Sequence, residues 1–261
     1  MDQEAVLALF DRQMRREAPA DTAGARVERV NGVVRQADAT GGWNGVLWSG
    51  LTADSADAAI AAQVRHFAAL GREFEWKLYA HDEPADLAAR LLAARFTPEP
   101  TESLMVAEAA DLAARVELPD GVRLCPVTDA AGVDLMAEVH ERAFGGGGDR
   151  LRSLLLAQLA EAPDTVAAVV AMAGREPVSA ARVELPLGRD FAGLWGGGTA
   201  PGWRGRGVYR ALIAHRARIA AARGHRFLQA DASDQSAPIL GRLGFTRLST
   251  TTPFLYQPAP A

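Results

Sequence analysis

Hydrophobic and polar residues repeat with two different periods in the second half of the chain, and the change of period marks the predicted elements. Apolar or alternating runs predict strands at residues 122–125, 166–172, 178–185, 191–199 and 227–231. Apolar residues three and four apart predict helices at residues 128–144, 149–161 and 208–223, and a short helix that ends in Leu243-Gly244-Phe245. Thr128 or Asp129 is the expected cap of the first helix, and Asp149 of the second. With a last strand expected after that short helix, the predicted order is β-α-α-β-β-β-α-β-α-β.

A weaker form of the same pattern occupies the first half. It predicts strands at residues 43–51, 74–79 and 103–107 and helices at residues 54–70 and 84–95. We therefore expect an α/β (α+β) protein with two similar units in tandem, residues 1–115 and 116–261. The boundary is expected within residues 111–120, next to the turn predicted by Leu118-Pro119-Asp120-Gly121.

A glycine-rich turn stands directly before the predicted helix 208–223. Its sequence is Pro201-Gly202-Trp203-Arg204-Gly205-Arg206-Gly207. Such a turn points several backbone N–H groups, and the positive end of the helix dipole, at one place. The arginines add charge-assisted donors. The turn therefore predicts a phosphate-binding site.

The residues around this turn separate three kinds of phosphate ligand. A mononucleotide P-loop needs a lysine after its last glycine, but the only lysine is Lys77, far upstream. A dinucleotide fingerprint needs a small residue where Arg210 stands, and no acidic partner follows. The third kind, a coenzyme A diphosphate loop, agrees with the glycine-rich strand before the turn and the helix after it.

Composition and charge narrow the function further. The chain has 261 residues, 49% of them hydrophobic and 23% charged, as in ordinary globular proteins. The net charge of −4 gives no basic field for nucleic acid or anionic lipid. Neither a signal peptide nor a membrane-spanning run is recognised, and the single cysteine, Cys125, fits a reducing compartment. We expect a cytoplasmic protein, monomer or homodimer, without a metal site.

The ordered set of turn, helix and Leu243-Gly244-Phe245 resembles the GNAT superfamily, the Gcn5-related N-acetyltransferases. The resemblance covers residues from about 122 to 256. It implies a mixed, mostly antiparallel central sheet flanked by helices, with acetyl-CoA as cofactor and an amine, on a small molecule or a peptide, as acceptor. The first half lacks an arginine–glycine turn, so we expect it to be a degenerate GNAT-like unit that does not bind the cofactor.

The resemblance also implies which residues contact coenzyme A. Backbone amides in the turn are expected to hold the diphosphate, and the preceding strand to pair with the pantetheine arm. Gly196-Gly197-Gly198 weakens that strand, so a close ligand or a bulge is expected there. The expected cofactor-binding residues are Gly198, Thr199, Ala200, Arg204, Gly205, Arg206, Gly207, Val208, Tyr209, Arg210, Ser233 and Ser236.

Acyl transfer to an amine also needs a base for the amine and a proton for the departing thiolate. The family often takes a glutamate from the strand that here contains Trp195, but that strand carries no acid. Glu184 on the neighbouring strand is one candidate base; the alternative is a solvated ion pair with Arg182. Asp231 is the other candidate base; the alternative is a helix cap. His140 and Glu141, at the end of the first helix, line the acceptor pocket or form an exposed helix end.

The proton donor is where the sequence departs from the family. Leu240 stands where relatives commonly have a tyrosine, and leucine cannot donate. Tyr209, itself an exception where the family prefers glycine or alanine, is a candidate acid; Tyr256, Ser236 and water are the others. The main prediction is direct acyl transfer from acetyl-CoA to a primary amine. The alternative is a GNAT-like module that binds acyl-CoA without catalysis.

Overall fold

The computed structural model describes residues 1–22, 24–39, 42–114 and 117–258. The chain divides into two compact units. The first contains Met1–Met105, Asp231–Ile239 and the described residues from Arg247 on, and the second contains Val106–Ala230 and Leu240–Thr246. The predicted boundary at residues 115 and 116 lies outside the described residues and stays a prediction.

The first half of the chain begins with helix α1 (Gln3–Phe10), which continues into a π-helical turn (Asp11–Arg16). The elements that follow are β1 (Ala25–Val30), β2 (Val33–Asp38), β3 (Gly45–Ser49), α2 (Ala53–Ala69), β4 (Phe74–Tyr79), α3 (Leu87–Ala93), β5 (Thr97–Pro98) and β6 (Glu102–Glu108). The predicted elements of this half are all present. Helix α1 and strands β1, β2 and β5 were not predicted.

After a short helix that was not predicted (Ala109–Leu112), the second half of the chain has the predicted order of strands and helices. Its elements are α4 (Ala109–Leu112), β7 (Val122–Val127), α5 (Ala130–Phe144), α6 (Gly148–Glu161), β8 (Val166–Ala173), β9 (Glu176–Glu184), β10 (Phe191–Thr199), α7 (Val208–Ala222), β11 (Phe227–Ala232), α8 (Ala237–Arg242) and β12 (Thr246–Tyr256). Asp129 caps α5 by accepting a hydrogen bond of 2.8 Å from the amide of Gly132, as expected.

Each unit contains a mixed sheet. In the second unit β7, β8, β9 and β10 are antiparallel neighbours, and β11 is parallel to β10. In the first unit β1, β2 and β3 are antiparallel neighbours, and β4 is parallel to β3. A helix connects the parallel pair in both units, α7 between β10 and β11 and α2 between β3 and β4. The sheet of the first unit also contains β12, the last strand of the chain, which is antiparallel to β4.

Hydrophobic packing covers these sheets. In the first unit α2 and α3 pack on an aromatic group in which the rings of Phe67 and Phe74 stack at 4.3 Å. In the second unit α5 and α6 bury Met136 and Leu155 against β8. Helix α7 contributes Leu212, which is fully buried against other residues of β8 and β9. The strands of the second unit are therefore covered by apolar side chains on both faces.

Candidate functional site

The turn between β10 and α7 has the geometry of an anion-binding loop. After a 3-10 turn, Pro201–Trp203, the chain passes through Gly205 with φ of +76° and Gly207 with φ of +83°. A Cβ atom at either glycine would meet no heavy atom within 4 Å, so glycine is favoured there by the backbone conformation and not by crowding. Gly207 is the N-cap of α7 and no side chain caps the helix. The amides of the first turn, starting at Val208, are therefore available to an anion.

Three exposed arginines surround this turn. Arg204 donates to the carbonyl oxygens of Thr199 at 3.2 Å and Ala143 at 3.1 Å, so its side chain holds the turn against the ends of β10 and α5. The guanidinium of Arg206 lies 4.7 Å from the ring centroid of Trp203, and Arg210 lies in the first turn of α7. Within the described part of the chain, no carboxylate forms an ion pair with any of the three arginines. The turn therefore carries uncompensated positive charge.

Hydrogen bonds to β9 hold the end of β10, directly before this turn. The hydroxyl of Ser179 donates to the carbonyl oxygen of Gly198 at 2.7 Å and lies 2.8 Å from Oγ1 of Thr199. The amide of Ala200 donates to the carbonyl oxygen of Val178 at 2.9 Å. These contacts hold the backbone of Gly198 and Ala200 and the side chain of Thr199. The cofactor-binding roles of these three residues stay predictions.

Strand β10 contains a bulge at its glycines. Trp195 pairs with Arg182 and Gly198 with Ala180, so the register against β9 shifts between these pairs. Gly196 has φ of +60°, in the left-handed region that favours glycine. The bulge confirms one of the two explanations expected for the glycine run. It leaves the strand locally without regular pairing to β9.

Tyr209 and Arg216, both on α7, meet the bulge at Gly197. A Cβ atom at Gly197 would lie 3.0 Å from Cε2 of Tyr209 and 3.7 Å from Nη2 of Arg216. Tyr209 is partly buried, and Arg216 is only 1% exposed. Tyr209 was predicted as a site residue from the sequence, and Arg216 was not. The helical period contained the signal, because positions 212, 216 and 220 share the buried face of α7 and only position 216 is charged.

Glu184, one predicted base, lies beside Arg182 on β9. Its Oε1 atom is 3.3 Å from Nε of Arg182, and the two side chains are 28% and 11% exposed, respectively. The ion pair that the sequence suggested is therefore formed. Because Glu184 stays in contact with solvent, its carboxylate remains accessible to a water molecule.

His140 and Glu141 lie at the end of α5 and behave differently from each other. Glu141 accepts a hydrogen bond of 2.6 Å from the amide of Gly148, so it closes the start of α6. The N-cap of α6 is Gly147, which corrects the predicted cap Asp149. Burial lowers the pKa of His140, and the charge of Arg182 lowers it further, against the opposing effect of Glu141. His140 is therefore a neutral imidazole at pH 7.

Asp231, the other predicted base, lies in the first unit, where its carboxylate forms an ion pair with Lys77. Its side chain is 2% exposed, so the pair is buried. Burial acts to lower the pKa of Lys77, but the charges of Asp231, Tyr79 and Glu75 together outweigh it, with Asp231 the largest of the three, and the net shift is strongly upward. Asp231 therefore binds an internal ammonium group and does not act as the helix cap that was considered. Burial also raises the pKa of neighbouring Glu102, with Asp231 as the next contribution.

The other predicted residues divide between the units. Ser233 and Ser236 belong to the first unit, with their hydroxyl oxygens 3.2 Å apart. Tyr256 also belongs to the first unit, and its ring lies 5.2 Å from that of Phe96 in the aromatic core. Leu240 belongs to the second unit and is 2% exposed, as expected for an apolar core residue.

Neither a metal cluster nor a membrane-spanning helix occurs among the described residues. No group of three or more histidine, cysteine, aspartate or glutamate residues in the described ranges is arranged to hold a metal ion. No helix in those ranges combines the length and apolar character needed to cross a membrane.

Comparison of the whole chain with solved structures reveals its fold. A GCN5-related N-acetyltransferase from Kribbella flavida superposes with a TM-score of 0.70 at 20% identity, covering 99% of this chain and 95% of that one. A tandem GNAT protein from the clavulanic acid biosynthesis pathway superposes with a TM-score of 0.64 at 13% identity, covering 93% and 86%. The chain has the GNAT fold in its tandem form. A conserved protein of unknown function from Staphylococcus epidermidis ATCC 12228 shares this fold, with a TM-score of 0.69 at 13% identity over 94% and 97% of the two chains.

The likeness of this chain to known proteins was found by comparing structures and not by comparing sequences. No protein-family model matches the sequence, and no curated protein matches it significantly. The residue chemistry of the site therefore has to be argued from this chain's own geometry.

Proposed function

We propose that the protein is an acetyl-CoA-dependent N-acyltransferase whose working site lies in the second unit. The observation that carries the proposal is the turn at Arg204 to Gly207. An uncapped helix start, two left-handed glycines and arginines that form no ion pair with any described carboxylate surround open space there. A diphosphate fits this donor set, because it accepts from several amides and is attracted by both the helix dipole and the arginines. Acetyl-CoA would supply the activated acyl group.

The start of the corresponding helix in the first unit supports one site per chain. Helix α2 follows β3 as α7 follows β10, but its start is closed by a capping box between Thr52 and Ser55. The amide of Thr52 donates to the Ser55 hydroxyl at 2.9 Å. The amide of Ser55 in turn donates to the carbonyl oxygen of Thr52 at 3.1 Å, so fewer amides are free at the start of α2 than at the start of α7. We therefore assign the cofactor to the unit that contains α7 and a structural role to the other.

In the proposed reaction, the acceptor amine attacks the thioester carbonyl carbon directly. Glu184, which stays partly exposed beside Arg182, takes the amine proton through a water molecule. Tyr209 lies against the bulge of β10 and donates a proton to the departing sulfur. We give Asp231 no role as the base, because its carboxylate is already held by Lys77. Cys125 forms part of a strand and is given no covalent role.

Binding of coenzyme A tests the cofactor site. We expect calorimetry to detect binding of coenzyme A and acetyl-CoA to the wild type, and Arg206→Glu to abolish it, because the new carboxylate repels the diphosphate. The matched control is Arg175→Glu, which makes the same charge change at an exposed position of the second unit. Loss of binding in both variants, or in neither, would contradict the assignment of the turn.

A second candidate function is acyl-CoA binding without catalysis. The observation that favours it is Leu240, a buried apolar residue at the position where the resemblance implies a proton donor. Release of free thiol from acetyl-CoA, measured with a panel of primary amines, separates the two functions. An enzyme gives saturable release with at least one amine and loses it in Tyr209→Phe. A binding module takes up acetyl-CoA and gives no release with any acceptor.

A further inference from the structure

Arg216 is a buried cation with incomplete partners. It lies in the middle of α7 and is 1% exposed. Its Nε donates to the carbonyl oxygen of Leu212 at 3.1 Å, and its Nη1 donates to that of Arg182 at 3.0 Å. Its Nη2 is buried and has no hydrogen-bond partner among the described residues. No carboxylate in the described part of the chain forms an ion pair with it.

A structural role explains only part of this arrangement. The carbonyl of Arg182 lies where β9 and β10 lose their register, and a donor from α7 satisfies it. A neutral donor would do this without burying a charge, which is strongly unfavourable when no counter-ion is present. The charge itself and the free Nη2 therefore require another explanation. An anion that is present only during the reaction cycle provides one.

The surroundings of Nη2 indicate which anion this is. Nη2 and the ring of Tyr209 approach the same point of the bulge, at Gly197. Under the proposed function, the acyl carrier has its diphosphate at the start of α7 and its thioester beside β10. The anion formed there is the departing thiolate. Leu240 cannot supply that thiolate with a proton, so the leaving group is the part of the reaction that still lacks a partner.

We propose that Arg216 binds the sulfur of coenzyme A through Nη2 as the sulfur leaves as a thiolate. This inference rests on the proposed function. The amine nitrogen forms a bond to the carbonyl carbon, the carbon–sulfur bond breaks, and its electron pair stays on the sulfur. Arg216 stabilises that negative charge until the hydroxyl of Tyr209 transfers its proton to the sulfur. Tyr209 then regains a proton from solvent.

The charges around Arg216 define the pH range for a test. Burial lowers the pKa of Arg216 to about 10, with neighbouring Tyr209 raising it and Arg182 of β9 lowering it. The guanidinium is therefore still charged at pH 9. Burial lowers the pKa of His215 on the same helix, so its imidazole stays neutral from pH 7 upwards. The facing glycines of β10 carry no ionisable side chain. A thiol ionises near pH 8.5, taking cysteine as the reference, so guanidinium and thiolate coexist near pH 9.

The test compares binding of coenzyme A and desulfo-coenzyme A, which lacks the sulfur, by calorimetry at pH 7 and pH 9. We expect similar affinities at pH 7 and about tenfold tighter binding of coenzyme A at pH 9, the size of a charge-assisted hydrogen bond. Arg216→Gln keeps a donor for the carbonyl of Arg182 but has no charge, and we expect it to lose this preference. Arg216→Lys should keep part of it. Arg218→Gln, at an exposed position of the same helix, should keep all of it.

The outcomes separate this inference from the proposed function. If the wild type binds both compounds with the same affinity at pH 9, the thiolate site is wrong and the cofactor site stands. If Arg216→Gln keeps the preference, another group holds the thiolate and the inference is again wrong. If the wild type binds neither compound, the proposed function fails and the inference fails with it. Because the wild-type comparison alone can overturn the inference, a variant that does not fold leaves the test intact.

Discussion

Gly207 shows how one residue can set the geometry of the cofactor turn. Its φ of +83° lies in the left-handed region, where a side chain costs free energy even when the surrounding space is empty. The neighbouring Gly202 also has empty space around it, but no positive φ. The two glycines therefore separate the effect of backbone conformation from that of crowding.

We expect Gly207→Ala to lower the free energy of unfolding by about 1–2 kcal/mol and to weaken binding of coenzyme A, because the amides of α7 turn away from their common point. Gly202→Ala should change the unfolding free energy by less than about 0.5 kcal/mol. Urea unfolding and calorimetry measure the two effects. Equal losses in both variants would show that the positive φ is unimportant.

The buried ion pair between Lys77 and Asp231 gives a second prediction at the scale of single residues, in the first unit. Removing one partner of a buried ion pair leaves the other charge buried and unpaired. We expect Lys77→Met to lower the free energy of unfolding by about 3 kcal/mol, and the double variant Lys77→Met/Asp231→Leu to recover most of that loss. The control is Asp134→Ala, which breaks an exposed pair with Arg152 and should cost less than about 1 kcal/mol. A double variant less stable than Lys77→Met would contradict this account.

Individual elements differ mainly in how their ends are closed. Helix α2 closes its start with a capping box, α5 with Asp129, and α6 with Glu141, which belongs to the preceding helix. Helix α7 has no side-chain cap. The short helices α3 and α4 also lack a side-chain cap, but among the described helices of 14 residues or more α7 is the exception. Because unsatisfied amides at a helix start cost stability unless water or a ligand binds them, this open start indicates a function.

The role of Glu141 in closing the start of α6 can be tested by substitution. We expect Glu141→Ala to lower the free energy of unfolding by about 1 kcal/mol, since the amide of Gly148 loses its acceptor. Glu138→Ala, three residues earlier on α5, removes only an exposed contact of 3.7 Å with Arg142 and should have a smaller effect. Chemical denaturation compares the two variants. If Glu138→Ala costs as much as Glu141→Ala, the helix cap does not account for the loss.

The whole molecule has a pH dependence that follows from its histidines. Burial lowers the pKa of four of them, which are His66, His140, His215 and His225. A histidine with a lowered pKa binds fewer protons in the folded chain than in the unfolded one. Its contribution to stability is therefore complete above the unfolded pKa of about 6.5, and it is lost as the pH falls below that value.

We expect the urea midpoint to be constant between pH 7.5 and pH 8.5 and to fall between pH 6.5 and pH 5. His225 is 7% exposed, and its Nδ1 lies 3.0 Å from the carbonyl oxygen of Arg189. His225→Gln should therefore reduce the slope. Glu102, whose pKa burial raises, acts in the opposite direction, so the difference between wild type and variant is the decisive quantity. A midpoint that rises on acidification in the wild type, or an unchanged slope in His225→Gln, would contradict the prediction.

Features that depend on residues close together in the sequence, such as strands, helices and one helix cap, were predicted well. The strand at 191–199, the helix after it and the cap Asp129 depend on periodicity and on short-range hydrogen bonds, which a local stretch of sequence contains. The prediction that Asp149 caps α6 was wrong. The carboxylate of Glu141, on the preceding helix, accepts the hydrogen bond from the first amide of α6. The early strands β1 and β2 were missed; most residues of β1 lie partly or fully exposed, so its apolar signal is weak.

Contacts between residues far apart in the sequence could not be predicted from local patterns. Lys77 and Asp231 are separated by 154 positions, and no local pattern indicates that they meet. The helical period places Arg216 as a charged residue on an apolar helix face, although it was not predicted as a site residue. That its Nη2 lacks a partner became evident only from the packing of α7 against β9 and β10. The roles of Glu184 and Tyr209 stay predictions at both levels.

The sequence by itself determined the order of strands and helices, the glycine turn before α7 and the likeness to GNAT proteins, because these depend on neighbouring residues and their periodicity. Only the tertiary structure decided which strands complete which unit. The last strand, β12, pairs with β4 of the first unit from Thr251 opposite Tyr79 to Tyr256 opposite Phe74. Strand pairing is made by backbone groups that all residues except proline possess in full, so the partner of a strand is chosen by the packing of the whole chain.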